Sequence, residues 1–210
     1  MSVGRIIETD ADVAEGAAWL AAQDARFATA LSRTGPLPLR RREEGFHQLL
    51  SAIVSQQVSV ASAKAIWKRL EDAGFTSPGA IQDTTDEALR AVGLSRQKAR
   101  YAKALAHAEI DFDSLRTAQN AEIIDTLTAV TGIGRWTAEI YAMFSLGRAD
   151  VFAANDLALQ EGARILFALE KRPTEGQMRK MAENWSPWRA VAARALWAYY
   201  HVEKQREGIR

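Results

Sequence analysis

The 210-residue sequence contains no cysteine. Without a thiolate there is no disulfide framework, no Cys-ligated zinc site and no iron-sulfur cluster. Histidine is nearly as scarce, and His47, His107 and His201 share no ligand spacing, which excludes a transition-metal site built from them. No apolar run approaches the roughly 20 residues of a membrane span. With 48% apolar and 25% charged residues the composition is that of a soluble globular protein. Residues 1–12 carry neither an apolar segment nor an Arg-rich transit pattern, so a cytoplasmic location is expected. An excess of one charge sign is missing too: 27 basic side chains face 26 acidic ones, a net +1. A nucleic-acid partner usually demands an evident basic excess, but the total hides a gradient. Residues 1–30 hold two basic and five acidic side chains, whereas residues 161–210 hold ten and six.

What is present is helical period. Apolar residues recur at three and four spacing almost throughout, with no sustained alternation, so the fold class expected is all-α. Asp10 and Asp12 open a first helix that runs past Leu31 to the Gly35-Pro36-Leu37-Pro38 breaker. Residues 45–70 place Phe46, Leu49, Leu50, Ile53, Val54, Val58, Ile66, Trp67 and Leu70 on one stripe and predict a single long helix. Thr84 with Glu87 forms a capping-box pattern for a short helix. Further helices are expected over 96–107, 120–129, 136–146, 157–169 and 174–184. The last should run from Pro187 to Lys204, with proline in its first turn.

The most specific local signal is Thr131-Gly132-Ile133-Gly134 between two of these helices. Two glycines flanking one apolar residue permit positive φ and leave successive amides uncovered where the next helix begins, which makes an anion cradle. The helix dipole adds to it, and Arg135 and Thr137 can supplement it against a DNA backbone phosphate. An ordinary tight helix-helix turn would use the same glycines for geometry alone.

The string around the hairpin, from Leu127 to Ala138, resembles the helix-hairpin-helix element of DNA repair glycosylases. Three more segments resemble the alkylated-base branch of that superfamily, the 3-methyladenine DNA glycosylase II type. These are Ile53 to Val60, reading Ile-Val-Ser-Gln-Gln-Val-Ser-Val; Val151 to Leu159, which contains Asp156; and Trp185-Ser186-Pro187-Trp188-Arg189 through Trp197. The four stand in family order from about residue 40 to 203. With some 40 residues before them, no room is expected for the N-terminal sheet domain of larger members.

The resemblance implies roles residue by residue. Asp156 matches the catalytic aspartate, which would stabilise the oxocarbenium-like sugar and position or deprotonate water. An Asp there also suits a helix N-cap, and a capped carboxylate is a fixed one, so both roles can hold. Trp136 and Trp197 match walls of a base pocket, Gln56 its polar residue, and Gln57 the wedge that fills the gap left by a flipped nucleotide. Glutamine is a departure, since that wedge is often a bulky aliphatic. Trp136 stands where the bifunctional branch carries a lysine, and an indole cannot form a Schiff base, so base removal without a lyase step is expected. No cofactor is required, although the resemblance implies a monovalent cation on the backbone carbonyls of Thr128, Val130 and Ile133. The basic stretch Arg96, Lys98, Arg100 and Lys103 reads as a second backbone contact or as a solvated helix face.

The organisation expected is an N-terminal helical segment, 1–44, packing with a C-terminal subdomain, 151–210. A central subdomain, 45–150, ends in the hairpin, and Asp156 lies at the cleft between the two. The partner is double-stranded DNA containing a damaged base, and the protein acts as a monomer. The reading is excision of alkylated purines by base flipping, opening base excision repair. Three alternatives stand beside it: a glycosylase for other damaged or mismatched bases, a non-catalytic helix-hairpin-helix DNA-binding module, and a helical protein-interaction domain.

Overall fold

The computed structural model describes residues 3–207. In chain order the helices are α1 (Asp10–Gln23), α2 (Ala25–Thr34), α3 (Phe46–Ser55), α4 (Val60–Asp72), α5 (Pro78–Asp83), α6 (Asp86–Ala91) and α7 (Arg96–His107). Then follow α8 (Phe112–Leu115), α9 (Asn120–Thr128), α10 (Arg135–Phe144), α11 (Leu157–Leu166), α12 (Glu175–Glu183) and α13 (Arg189–Glu207). The extended pairing among the described residues is an isolated antiparallel bridge between Ile6 and Arg148. The fold is all-α.

Several helices start where a short polar side chain takes over from the backbone. Asp24 is extended and accepts from the Arg26 amide at 2.9 Å, so the single first helix read from periodicity is two, α1 and α2. The long helix expected over 45–70 also breaks. Gln56 is extended, Gln57 turns at φ +54°, and Ser59 accepts from the Ser62 amide at 3.1 Å to open α4. The apolar stripe continues across the break because both helices bury one face, and hydrophobic period alone does not register the turn. Thr85, not Thr84, caps α6, accepting from the Ala88 amide at 3.1 Å. Pro187 lies ahead of α13: the Trp188 amide donates back to the Trp185 carbonyl at 2.7 Å, so the chain is still turning there.

The chain divides into two compact units, Met1–Arg41 with Ala142–Arg210, and Arg42–Tyr141. The second unit therefore closes inside α10, not at 150. The end of α10 belongs to the first unit's core: Phe144 lies 5.8 Å from the Trp197 ring and 4.7 Å beneath the Arg194 guanidinium. That core joins α1, α2, α11 and α13 around an aromatic cluster in which Phe27, Phe152 and Phe167 meet Trp185 at 5.3 to 5.9 Å. Close approach requires two glycines. A Cβ at Gly16 would lie 2.7 Å from Trp188 and Val191, and one at Gly162 would lie 2.6 Å from the Leu196 carbonyl oxygen. Trp185 and Trp188 are accordingly core residues. In the second unit α3, α5 and α6 pack on α7, burying Leu50, Ile53, Ile81, Leu89, Ala99 and Ala102.

Candidate active site

In the first unit the site is built on the amino end of α11. Asp156 is its N-cap, with φ −77° and ψ 121°. Its Oδ1 accepts from the Ala158 amide at 2.9 Å, the Leu159 amide at 3.0 Å and the indole Nε1–H of Trp197 at 3.0 Å. The cap and the carboxylate assigned to chemistry are thus one group. Three donors at the amino end of the helix fix its orientation.

The segment leading into Asp156 is fastened to the start of α13. Ala190 N donates to the Ala149 carbonyl at 2.8 Å, Arg189 Nη1 lies 3.3 Å from Asp150 Oδ2, and Ser186 Oγ donates to the same oxygen at 2.9 Å. Gln160, buried, donates from Nε2 to the Ala154 carbonyl at 3.0 Å. Sequence reasoning passed over Asp150, Gln160 and Arg189 as positioning groups. For Asp150 and Arg189 the signal was the Trp-x-Pro-Trp-Arg string, whose arginine and serine both reach Asp150; Gln160 carried none. Arg194, fully buried on α13, donates to the Leu39 and Ala190 carbonyls and stacks on Phe144, which borders Trp197. Burial, then the nearby charges of Arg40 and Arg41, pull its pKa down to about 10.

In the second unit the structure gathers the loop after α3 and the hairpin before α10. Gln56, Gln57, Gly132, Ile133 and Gly134 line one hollow of about 500 Å³, together with Lys98 and Tyr101. The Gln56 amide Nε2 donates to the Gly132 carbonyl at 3.0 Å. Ile133 is buried and its amide donates to the Val130 carbonyl at 3.0 Å, which closes the hairpin. Gly132 has φ +101°, the left-handed conformation that favours glycine. Gly134 does not share it; a Cβ there would meet nothing within 4 Å, so of the two glycines only Gly132 is held by backbone conformation. Arg135 is exposed and bonds Glu139 from Nε at 3.0 Å, Thr137 is buried in the first turn of α10, and Trp136 in the same turn is 44% exposed. Two of the four cations of the basic stretch are spent inside the unit. Lys98 donates to the Val54 carbonyl and Lys103 to those of Gln82 and Thr84, leaving Arg96 and Arg100 exposed.

Residues 50–187 match the family described as HhH-GPD superfamily base excision DNA repair protein. The chain belongs to this superfamily. Within it the chain is 36% identical over 165 residues to DNA-3-methyladenine glycosylase 1 of Schizosaccharomyces pombe, covering 74% of this chain and 72% of that one. A crystal structure of a DNA-3-methyladenine glycosidase from Bacillus halodurans superposes with a TM-score of 0.81 at 33% identity, covering 89% of each chain. A 3-methyladenine DNA glycosylase of S. pombe in complex with abasic DNA superposes with a TM-score of 0.76 at 33% identity, covering 87% of this chain and 95% of that one. Among the described residues no helix is long and apolar enough to cross a membrane, and no group of three or more His, Asp or Glu side chains could hold a metal.

Proposed function

We propose that this superfamily member is a DNA glycosylase that hydrolyses the N-glycosidic bond of alkylated purines in duplex DNA, the step that opens base excision repair. The single observation that carries the chemistry is Asp156, whose Oδ1 accepts three hydrogen bonds at the amino end of α11. As the C1′–N bond breaks, its electron pair goes to the departing base and positive charge develops on the sugar. A fixed carboxylate stabilises that charge and directs water to C1′. A C1′–O bond forms, and the water's proton passes to the carboxylate and then to solvent. An N3- or N7-alkylated purine already carries positive charge, so it leaves as a neutral base without prior protonation. Trp136 then serves as its stacking wall, an attraction on the order of 0.5–2 kcal/mol. Because Trp136 stands in the lysine position of the bifunctional branch, the product is an abasic site and no strand break. Gln57 is assigned to fill the vacated stack, and Gly132, Gly134, Arg135 and Thr137 to hold the backbone.

The carbonyls of Thr128, Val130 and Ile133 are assigned to a monovalent cation: they are neutral oxygens, the donor type such an ion takes, and Thr128 ends α9, where the helix dipole is negative. The Val130 carbonyl takes the Ile133 amide and retains a second lone pair. Such an ion would supply positive charge beside a backbone phosphate. The protein is read as a cytoplasmic monomer whose partner is damaged duplex DNA. A panel of duplexes carrying 3-methyladenine, 7-methylguanine, 1,N6-ethenoadenine or hypoxanthine tests the reading. Release of the alkylpurines with an alkali-labile abasic product is expected, and release of none of them overturns it.

A further inference from the structure

Three ties within the second unit form a closed triangle. Lys98, buried on α7, donates from Nζ to the Val54 carbonyl at 2.7 Å. Val54 is in the last turn of α3, where carbonyls lack intrahelical partners and a cation meets the negative end of the helix. Three residues along the same face of α7, Tyr101 packs beneath the hairpin: a Cβ at Gly132 would overlap its ring. The Gln56–Gly132 hydrogen bond closes the third side. Loop to helix, helix to hairpin and hairpin to loop are therefore each fixed.

The element held by this triangle is the short loop of residues 56–59. Gln57 sits in it at φ +54° and is exposed. A non-glycine residue keeps that conformation only where its surroundings over-determine it. Burial pulls the Lys98 ammonium below the ordinary lysine pKa, so the fold tolerates a desolvated cation here. A hydrophobic side chain of equal length would avoid that cost but would leave the Val54 carbonyl without its partner.

We propose that Lys98 is a positioning residue for base flipping: by holding the Val54 carbonyl it fixes the end of α3, and with it Gln57, at a set distance from the hairpin that grips the DNA. The proposal rests on the glycosylase reading above. A wedge displaced by an ångström still permits backbone binding but not insertion, and misplacement of that size is enough to cost about a hundredfold in rate.

The test uses the full chain and two variants, Lys98→Met and Gln56→Leu, with assays in the cold and rates normalised to the folded fraction. Flipping is read with 2-aminopurine beside an abasic analogue in duplex DNA, and chemistry by single-turnover release of 7-methylguanine. Lys98→Met should bind undamaged duplex within about twofold of wild type while the flipping signal and the excision rate both fall by about tenfold or more. Lys98→Arg, which keeps a donor, should recover part of both. A Lys98→Met protein that flips and excises like wild type overturns the proposal, as does one whose binding to undamaged duplex falls as far as its rate. If Lys98→Met does not fold, Gln56→Leu decides: it cuts another side of the triangle, and a flipping signal equal to wild type contradicts the scheme. A wild type that flips yet excises nothing would refute the enzymatic reading, while the 2-aminopurine comparison still decides the role of Lys98.

Discussion

Three donors converge on one oxygen of Asp156, and one of them is a side chain forty-one positions away, the indole of Trp197. Trp197 is therefore more than an aromatic wall. Trp197→Phe would keep a ring against Phe144 and delete the N–H. A hydrogen bond to a charged acceptor is worth about 1.5–3 kcal/mol, so single-turnover excision should fall by about ten- to a hundredfold with little change in affinity for an abasic duplex. A wall acting only by stacking would leave the phenylalanine variant near wild type. Asp156 was legible in the sequence through the resemblance of Val151 to Leu159 to the family's catalytic-aspartate segment; the residue type alone reads as a helix cap. Its bond to Trp197 was not, because that geometry depends on how α13 packs against α11.

Helices were mostly legible from period and caps, and the two missed breaks share one cause. Asp24 ends α1 and caps α2, and Gln56 ends α3 before Ser59 caps α4, neither break interrupting the apolar stripe. The second of these breaks creates the loop that bears Gln56 and Gln57, so what periodicity missed is part of the site. Gly162 tests packing between α11 and α13. Gly162→Ala would drive a Cβ against the Leu196 carbonyl at 2.6 Å and should destabilise by about 1–3 kcal/mol, read as a lowered urea midpoint. In the hairpin, Gly132→Ala adds backbone strain at φ +101° to a clash with Tyr101, and should weaken duplex binding measurably by fluorescence anisotropy. At the start of α1 the Thr9 hydroxyl first, then the Glu8 and Thr9 amides, hold the Asp12 carboxyl down at about 2. The folded value lies below the unfolded one. The resulting stability is present above the ordinary carboxylate range and is lost as pH falls toward 2. Asp12→Ala should therefore lower the melting temperature at neutral pH, and its gap from wild type should shrink on acidification.

The unit that carries the hairpin, residues 42–141, holds 11 basic and 13 acidic side chains, and the other holds 16 and 13. Near-neutrality thus extends to the hairpin unit, which is slightly acidic. The backbone contact assigned to it relies on amides, a helix dipole and a few cations, and Lys98 and Lys103 are already engaged inside the unit. Affinity for undamaged duplex should be modest, and a plot of log affinity against log salt should have a slope no steeper than about −4, the mark of few phosphate contacts. The absence of cysteine excluded a cluster from the outset. The gradient of charge along the chain was readable too, but which cations face solvent was decided only by packing. The central claim is that Asp156 carries the chemistry. Single-turnover release of 7-methylguanine by wild type and Asp156→Asn tests it most directly, because asparagine also caps a helix. The account predicts an unchanged fold, retained binding to abasic duplex and a rate lower by about a hundredfold or more. Base release by Asp156→Asn at the wild-type rate would contradict it.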